Sequence, residues 1–224
     1  MNKLSELNQI PPNPYAIVSS GPIERGILNQ IEFEGLTNLL GCKKREMSLD
    51  GRGVMLRCPY VFCFGVSPDK WNNNRFKLGV ALAEKGMEME DDVKEFVDEL
   101  RSIEEWVKEK VSENYEVFGL SEKPIERDFK RMNPIYTGSS GSKMMSLKLM
   151  SLGNRVMTRF IDEEGNEIQI GDLIGKYCKV KFGIHIAGVI IKDDKVSLDI
   201  KVVIARIRRF QESKRVRYAM PDEI

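Results

Sequence analysis

The chain has 224 residues, 42% of them hydrophobic and 31% charged, and its formal net charge is +1. This composition is that of an ordinary soluble, globular protein of one elaborated domain or two small ones. No apolar run approaches the roughly 18 residues that span a bilayer, and residues 1–7 lack the apolar region of a secretion signal. The four cysteines favour a reducing compartment. We therefore expect an intracellular protein with no membrane contact.

The small net charge conceals a strong asymmetry along the chain. Residues 84–113 carry 12 acids and 5 bases, whereas residues 129–217 carry 18 bases and 9 acids. Charge by segment is more informative than the total. The later part is therefore predicted to present a basic surface. The alternative is that a solvated acidic helix merely neutralises a basic sheet.

The first quarter of the chain is predicted to contain an irregular arm and a loop or short hairpin, followed by two strands. Residues 1–25 contain four prolines and indicate an N-terminal arm. Residues 35–53 mix basic and turn residues, which predicts a loop or a short hairpin. The segments 54–66 and 75–83 then alternate between apolar and other residues, as the two strands of a hairpin do.

The aromatic residues of the first of these strands are predicted to lie in the core. Tyr60, Phe62 and Phe64 share their parity with Val54, and residues of one parity point to one face of a strand. Pro59 has the other parity and indicates an edge or a bulge, because proline cannot donate a ladder hydrogen bond.

Residues 89–115 are predicted to form one long helix, since apolar residues recur there at helical spacing. Residues 121–141 are polar and rich in proline, glycine and serine, which indicates a loop. The segments that follow are strand-like; they are 144–151, 155–161, 175–186, 188–192 and 196–210.

One late strand carries the clearest pattern of all. Val180, Phe182 and Ile184 have one parity, while Lys179 and Lys181 have the other, so a buried stripe displays a row of cations. We predict a mainly β, α+β fold: an OB-fold-like Greek-key barrel with one long helix. We assign residues 26–212 to a single domain with the helical insertion at 89–115, and residues 213–224 to a C-terminal tail.

The order of these elements resembles a known family. A turn at 163–166, the sequence Asp172-Leu173-Ile174-Gly175, a basic strand at 176–181 and a strand with alternating aliphatic residues at 196–204 follow one another. This pattern is similar to the OB-fold single-stranded DNA-binding proteins of T7-type phages and, more closely, of large cytoplasmic DNA viruses. The resemblance covers 54–210 and implies single-strand binding in replication. T7-type proteins end in a long acidic tail, whereas residues 218–224 carry two acids, so tail-mediated recruitment is not implied.

Binding of single strands requires cations beside the phosphates and flat side chains on which bases stack. Trp71 is the best candidate ring, since it lies in a polar turn between Lys70 and three asparagines. Tyr177 and Phe210 are further candidates, whereas Phe76 and Phe160 are assigned to the core. The predicted nucleic-acid-binding residues are Lys70, Trp71, Arg75, Lys77, Tyr136, Lys143, Lys148, Arg155, Arg159, Lys179, Lys181, Lys201, Arg206 and Arg208. For each cation the alternative is a solvated charge.

Catalytic and metal sites are poorly supported by the sequence. His185 is the single histidine, and its neighbours on a basic strand predict an exposed residue without a catalytic role. The glycine–serine stretch at 138–143 lacks the spacing and hydroxyl of a phosphate-binding loop. Cys58 and Cys63 have opposite parity, which predicts opposite faces, and zinc needs four converging ligands. We expect no metal and no cofactor.

The sequence therefore predicts a non-catalytic protein that binds single-stranded DNA without sequence preference, in viral DNA replication, recombination or repair. The alternatives are an interaction subunit of a replication or transcription complex and an RNA-binding protein. Replication proteins are the expected partners, and a homo-oligomer is left open. If the protein is viral, the host-cell cytoplasm or nucleus at replication sites is its expected location.

Overall fold

The computed structural model describes residues 15–17, 25–39, 41–69, 72–83, 86–130, 132–139 and 141–210. The predicted tail lies outside them, as does most of the predicted arm. The strands are β1 (Tyr15–Ile17), β2 (Ile31–Leu39), β3 (Cys42–Leu49), β4 (Arg52–Asp69), β5 (Asn72–Ala83), β6 (Ile135–Thr137), β7 (Lys143–Leu149), β8 (Ser151–Leu152), β9 (Arg155–Val156), β10 (Arg159–Ile161), β11 (Cys178–Lys192) and β12 (Lys195–Arg208). The α-helices are α1 (Arg25–Leu28) and α2 (Asp91–Glu113), and 3₁₀ turns cover Glu126–Phe129 and Ile170–Leu173.

Five strands close into a ring in the order β4, β5, β7, β12 and β11, and β11 returns to pair with β4. Closure leaves these strands no free edge. β3 and then β2 extend the sheet from β11, while β1, β10 and β6 lie beside β4, β12 and β7. The predicted fold class, a mainly β, α+β fold with an OB-like barrel and one long helix, is confirmed.

The segment predicted as a loop or short hairpin is a hairpin, formed by β2 and β3. The segments predicted at 175–186 and 188–192 are one strand, because an irregularity between Ile186 and Val189 bends β11 without ending it. Among the described residues, no helix is long and apolar enough to cross a membrane.

The core lies between the inner side of the barrel and α2. On β11 the predicted alternation is present: Phe182 and Ile184 are buried, whereas Lys181 is exposed. The ring of Phe96 on α2 meets the ring of Phe182 edge-on, with centroids 6.2 Å apart. Each fully buried side chain of this size contributes about 1.5–3 kcal/mol relative to an exposed one, so α2 is held by burial of its apolar face.

Basic residues of β3 hold the chain that follows α2. The Lys43 ammonium donates a hydrogen bond to the carbonyl of Gly119, and Arg45 Nε donates to the carbonyl of Val117 at 3.0 Å. The Arg45 guanidinium also lies 5.3 Å from the centre of the Phe118 ring. These two cations satisfy backbone carbonyls in the turn after the helix, which is a structural role.

Glu104 is a carboxyl group buried on α2. The residue is 5% exposed, and its Oε1 atom has no hydrogen-bond partner among the described residues. Burial raises the pKa of Glu104 to about 7, and the charges of Lys108 and Arg101 oppose this only in part. The folded protein therefore keeps a proton that the unfolded chain has released, and stability falls as the pH rises from the ordinary carboxyl pKa to about 7.

We expect Glu104→Gln, which cannot ionise, to raise the free energy of unfolding by about 2 kcal/mol near pH 8 and to change it little near pH 4.5. Thermal unfolding at both pH values measures the effect, and the expected rise in Tm near pH 8 is about 4–8 °C. Glu105→Gln on the exposed side of α2 is the matched control. An equal gain at both pH values would contradict burial of a charge as the cause.

Candidate nucleic-acid interface

Cations from neighbouring strands form rows across the outer side of the barrel, because ladder partners point to the same face of a sheet. In one row, Arg57 on β4 pairs with Gly183 on β11, Gly183 with Ile204 on β12, and Ile204 with Arg159 on β10. Strands lie about 4.8 Å apart, so this row separates the backbones of Arg57 and Arg159 by about 14 Å.

Other rows run parallel to this one. Lys181 pairs with Arg206, and Lys179 pairs with Arg208. A fourth row contains Lys77, Lys148, Lys201 and His185, on β5, β7, β12 and β11. We call the nine lysines and arginines of these rows the basic face; they are Arg57, Lys77, Lys148, Arg159, Lys179, Lys181, Lys201, Arg206 and Arg208.

Four cations of the basic face are paired with carboxylates. Their ion pairs are Lys77–Asp69 at 3.0 Å, Lys201–Asp199 at 3.0 Å, Arg159–Glu167 at 3.3 Å and Arg208–Glu163 at 2.7 Å. The other five are exposed and make no ion pair with any described residue; they are Arg57, Lys148, Lys179, Lys181 and Arg206. These five charges are available to a ligand.

A groove of about 620 Å³ crosses the basic face. Arg57, Arg159, Lys181 and Arg206 line it, and the described residues contribute no carboxylate to its lining. Its remaining walls are apolar or aromatic, and they include the rings of Tyr15 and Tyr60. A polyanion in this groove would meet positive charge on both sides.

An acidic depression borders the groove on the side of β10. Its lining contains the carboxylates Asp162, Glu163, Glu164, Glu167 and Asp172 together with the cation Arg209. Glu163 and Glu167 are the ion-pair partners of Arg208 and Arg159, so these carboxylates mark where the basic face ends on this side.

Four aromatic rings form an exposed group beside Lys179. Phe62 lies at the centre, with ring centroids at 5.0 Å from Phe64, 5.7 Å from Tyr177 and 5.9 Å from Phe210. Tyr177 is 65% exposed, Phe210 48% and Phe64 37%. We call these four rings the aromatic cluster. Phe62 is the ladder partner of Lys179, so the cluster continues the basic face without a gap.

The cluster faces outward because of a bulge in β4, and this overturns the prediction that Tyr60, Phe62 and Phe64 lie in the core. Val180 pairs with Val61 but Phe182 pairs with Cys58, so Pro59 and Tyr60 together oppose Lys181. An extra residue in one strand reverses the faces of all residues beyond it. Pro59 is the signal of this bulge in the sequence, and parity counted from Val54 does not include the extra residue.

A second bulge acts on β12. Gly183 pairs with Ile204 and Ile184 with Val202, which leaves Val203 unpaired. Beyond this point Ala205 and Ile207 are buried, whereas Ile204 and Arg206 face the groove. The alternation of aliphatic residues predicted at 196–204 is therefore interrupted at Val203.

Gly65 fixes the segment that carries Tyr177. Its φ is +85°, and a Cβ there would lie 2.6 Å from the carbonyl oxygen of Leu173 and 2.7 Å from the nitrogen of Lys176. We expect Gly65→Ala to lower the free energy of unfolding by about 2–4 kcal/mol, because both the backbone and the close contact are strained. Chemical denaturation measures this value. Gly175→Ala is the matched control, because Gly175 has a φ of +65° and a Cβ there would meet open space. We expect it to lower the free energy of unfolding by about 1 kcal/mol. An equal loss in the two variants would mean that the close contact at Gly65 does not contribute.

The structure gathers eight of the predicted binding residues on the basic face. Arg75 is exposed on β5, two residues from Lys77. Arg155 lies on the separate β8–β9 hairpin, while Lys143 and Tyr136 lie where β6 pairs with β7. Lys70 and Trp71 lie outside the described residues. Sequence reasoning missed Arg57, whose position opposite Gly183 depends on pairing between distant strands.

His185 is half-buried rather than exposed, and its ring meets that of Tyr15 with centroids 5.0 Å apart. Burial, assisted by the charge of Lys201, lowers the pKa of His185. Among the described residues, no group of three or more His, Cys, Asp and Glu side chains is placed to hold a metal ion.

The family model described as "Protein of unknown function (DUF2738)" matches residues 29–223. The chain belongs to this family. No curated protein matches the sequence of this DUF2738 member. Solved structures similar to it include the single-stranded DNA-binding protein encoded by bacteriophage T7, with 13% identity, a TM-score of 0.48 and coverage of 72% of this chain and 96% of that one.

Two structures of the single-stranded DNA-binding protein from bacteriophage Enc34 are also similar to this DUF2738 chain. The C-terminally truncated form has 11% identity and a TM-score of 0.46, and the match covers 81% of this chain and 97% of that one. The complex with single-stranded DNA has 12% identity and a TM-score of 0.41, with coverage of 80% and 96%. The predicted likeness to proteins of large DNA viruses stays a prediction.

Proposed function

We propose that this protein binds single-stranded DNA without sequence preference and catalyses no reaction. The proposal rests on one observation: five exposed cations without a carboxylate partner among the described residues lie on one outer face of the barrel, and an exposed aromatic cluster continues that face at Lys179. Cations contact phosphates, and exposed rings stack on bases of any sequence.

The rings favour single strands over duplexes. Bases in a duplex are already stacked and paired, so only the phosphates remain available to this surface. A single strand can satisfy both the basic face and the aromatic cluster, and each stacked base adds about 1–3 kcal/mol.

The five available cations predict how affinity depends on salt. Neutralising one phosphate of a single strand contributes about −0.7 to the slope of log affinity against log salt, so five contacts give a slope near −3.5. Fluorescence anisotropy with a labelled thymidine oligonucleotide of about 20 nucleotides measures it, with duplex DNA and RNA of the same length as competitors. A flat salt dependence, or binding confined to duplex DNA, would overturn the proposal.

The same competition decides between the ligands. Preference for the RNA strand would make the protein an RNA-binding protein on the same surface, and absence of binding to all three would favour an interaction subunit. A role in viral DNA replication, recombination or repair, with replication proteins as partners, is supported by the sequence resemblance over 54–210. Recovery of replication proteins with the tagged chain from replicating cells tests this role.

A further inference from the structure

Two cysteines lie side by side on neighbouring strands of the barrel, beneath the aromatic cluster. Cys63 on β4 is the direct antiparallel ladder partner of Cys178, the first residue of β11. Both side chains are buried, and a side-chain hydrogen bond joins them. Directly opposed residues of an antiparallel pair have Cα atoms about 4.5–5.5 Å apart, within the span of about 4.4–6.8 Å that disulfides bridge.

The other two cysteines have no such arrangement. All four lie within the described residues. The ladder partner of Cys58 is Phe182, and that of Cys42 is Leu39. The bulge at Pro59 also brings Cys58 and Cys63 to the same inner face, although their spacing predicted opposite faces. Cys63 and Cys178 are therefore the single pair that can be joined without movement of a strand.

We propose that Cys63 and Cys178 are a modification site: a peroxide converts them to an intramolecular disulfide, and this bond strengthens single-strand binding by fixing the strand junction under the aromatic cluster. The effect on binding rests on the proposed function, whereas formation of the bond does not.

The surroundings assign different roles to the two sulfurs. The hydrogen bond from Cys63 lowers the pKa of Cys178, and the positive charge of Arg209 lowers it further. Burial acts in the opposite direction and raises this pKa. The same hydrogen bond, together with burial, raises the pKa of Cys63, although the Gly65 N–H donates to its Sγ at 3.2 Å. The positive charge of Arg209 favours the thiolate of Cys178 and not that of Cys63, so we assign the first attack to Cys178.

The reaction balances with peroxide as the oxidant. The Cys178 thiolate attacks one peroxide oxygen, an S–O bond forms, the O–O bond breaks, and the leaving hydroxide takes up a proton to become water. The Cys63 sulfur then attacks the sulfenic acid, the S–S bond forms, the S–O bond breaks, and the departing hydroxide leaves as water with the Cys63 proton. Two thiols and one peroxide give one disulfide and two waters.

The bond would act on both stability and binding. It closes a loop of about 115 residues, and a loop of this length restricts the unfolded chain enough to raise Tm by roughly 10 °C.

The effect on binding follows from the neighbours of the two cysteines. Cys63 lies between Phe62 and Phe64, and Cys178 follows Tyr177. Holding three rings of the cluster in place reduces the ordering cost of binding, which we expect to tighten affinity for a thymidine strand by about 2–10-fold.

The test uses the full reduced chain treated with hydrogen peroxide. We expect the intact mass to fall by about 2 Da, Tm to rise by roughly 10 °C, and both changes to be reversed by dithiothreitol. In a Cys58→Ala variant, trypsin should release residues 58–70 linked to residues 177–179. Cys42→Ser should react like the wild type, whereas Cys178→Ser should not lose this mass.

Two outcomes overturn the proposal. If both thiols persist in the folded protein at a peroxide concentration that oxidises the urea-unfolded chain, then Cys63 and Cys178 are not a modification site. Formation of the disulfide with unchanged strand affinity would remove its effect on binding. If reduced protein does not bind the thymidine strand at all, the proposed function fails instead, and the mass and Tm measurements still decide whether the bond forms.

Discussion

Replacing Arg57, Lys181 and Arg206 together with glutamine is expected to weaken binding of a thymidine oligonucleotide about 500-fold at about 50 mM salt. These three cations line one groove, are exposed and have no carboxylate partner among the described residues. We take the electrostatic contribution to be absent near 1 M salt. Each lost phosphate contact then lowers the affinity for the strand about 8-fold at about 50 mM salt. The slope of log affinity against log salt should change from about −3.5 to about −1.4.

Anisotropy titrations over a range of salt concentrations measure both quantities in the same samples. The matched control replaces Lys123, Lys130 and Lys192, which are exposed, make no ion pair with the described residues and lie off the basic face. Both triple variants lower the net charge equally, so a general effect of charge would weaken both. An equal loss in the control would show that the groove has no special part in binding.

The groove depends on two strand irregularities as much as on its cations. Without the bulge at Pro59, the ring of Phe62 would point into the barrel, on the same face as Leu56 and Cys58. Without the bulge at Val203, Arg206 would have inward parity. Bulges are a recognised means of redirecting side chains near functional sites. Here the two bulges lie on the strands that flank β11, and together they place cations and rings on one outer face.

Local patterns were sufficient for the main elements. The alternation around Lys181 is a property of one strand, and the recurrence of Phe96, Leu100 and Ile103 is a property of one helix, so each could be predicted from neighbouring residues. The resulting fold class and the basic row of β11 agree with the structure. Such patterns persist because burial of one face acts on every residue of the element.

The remainder depended on contacts between distant parts of the chain. Arg57 and Arg159 lie on opposite sides of the same groove only because β4, β11, β12 and β10 are neighbours. Nothing local in the sequence sets that order. The ion pair of Arg208 with Glu163, which reduces its availability to phosphate, has the same origin. Parity counting also failed wherever a bulge intervened, as at Pro59, because one extra residue reverses the faces.

The second large effect is expected from the aromatic cluster. We expect Phe64→Ala combined with Tyr177→Ala to weaken binding of the thymidine strand about 100-fold, because two stacking surfaces worth about 1–3 kcal/mol each are removed. The slope of log affinity against log salt should stay near −3.5, since no phosphate contact is lost. Both side chains are substantially exposed, at 37% and 65%, so folding should be little affected.

An abasic oligonucleotide of the same length separates stacking from charge. It keeps the phosphates but offers no bases, so the wild type should bind it about as weakly as the double variant binds the thymidine strand, and the double variant should discriminate little between the two strands. Tyr136→Ala is the matched aromatic control, because Tyr136 is 46% exposed but lies on β6, outside the groove lining and the aromatic cluster. Equal affinity of the wild type for abasic and thymidine strands would mean that the rings do not stack on bases, and the surface would then distinguish polyanions by charge alone.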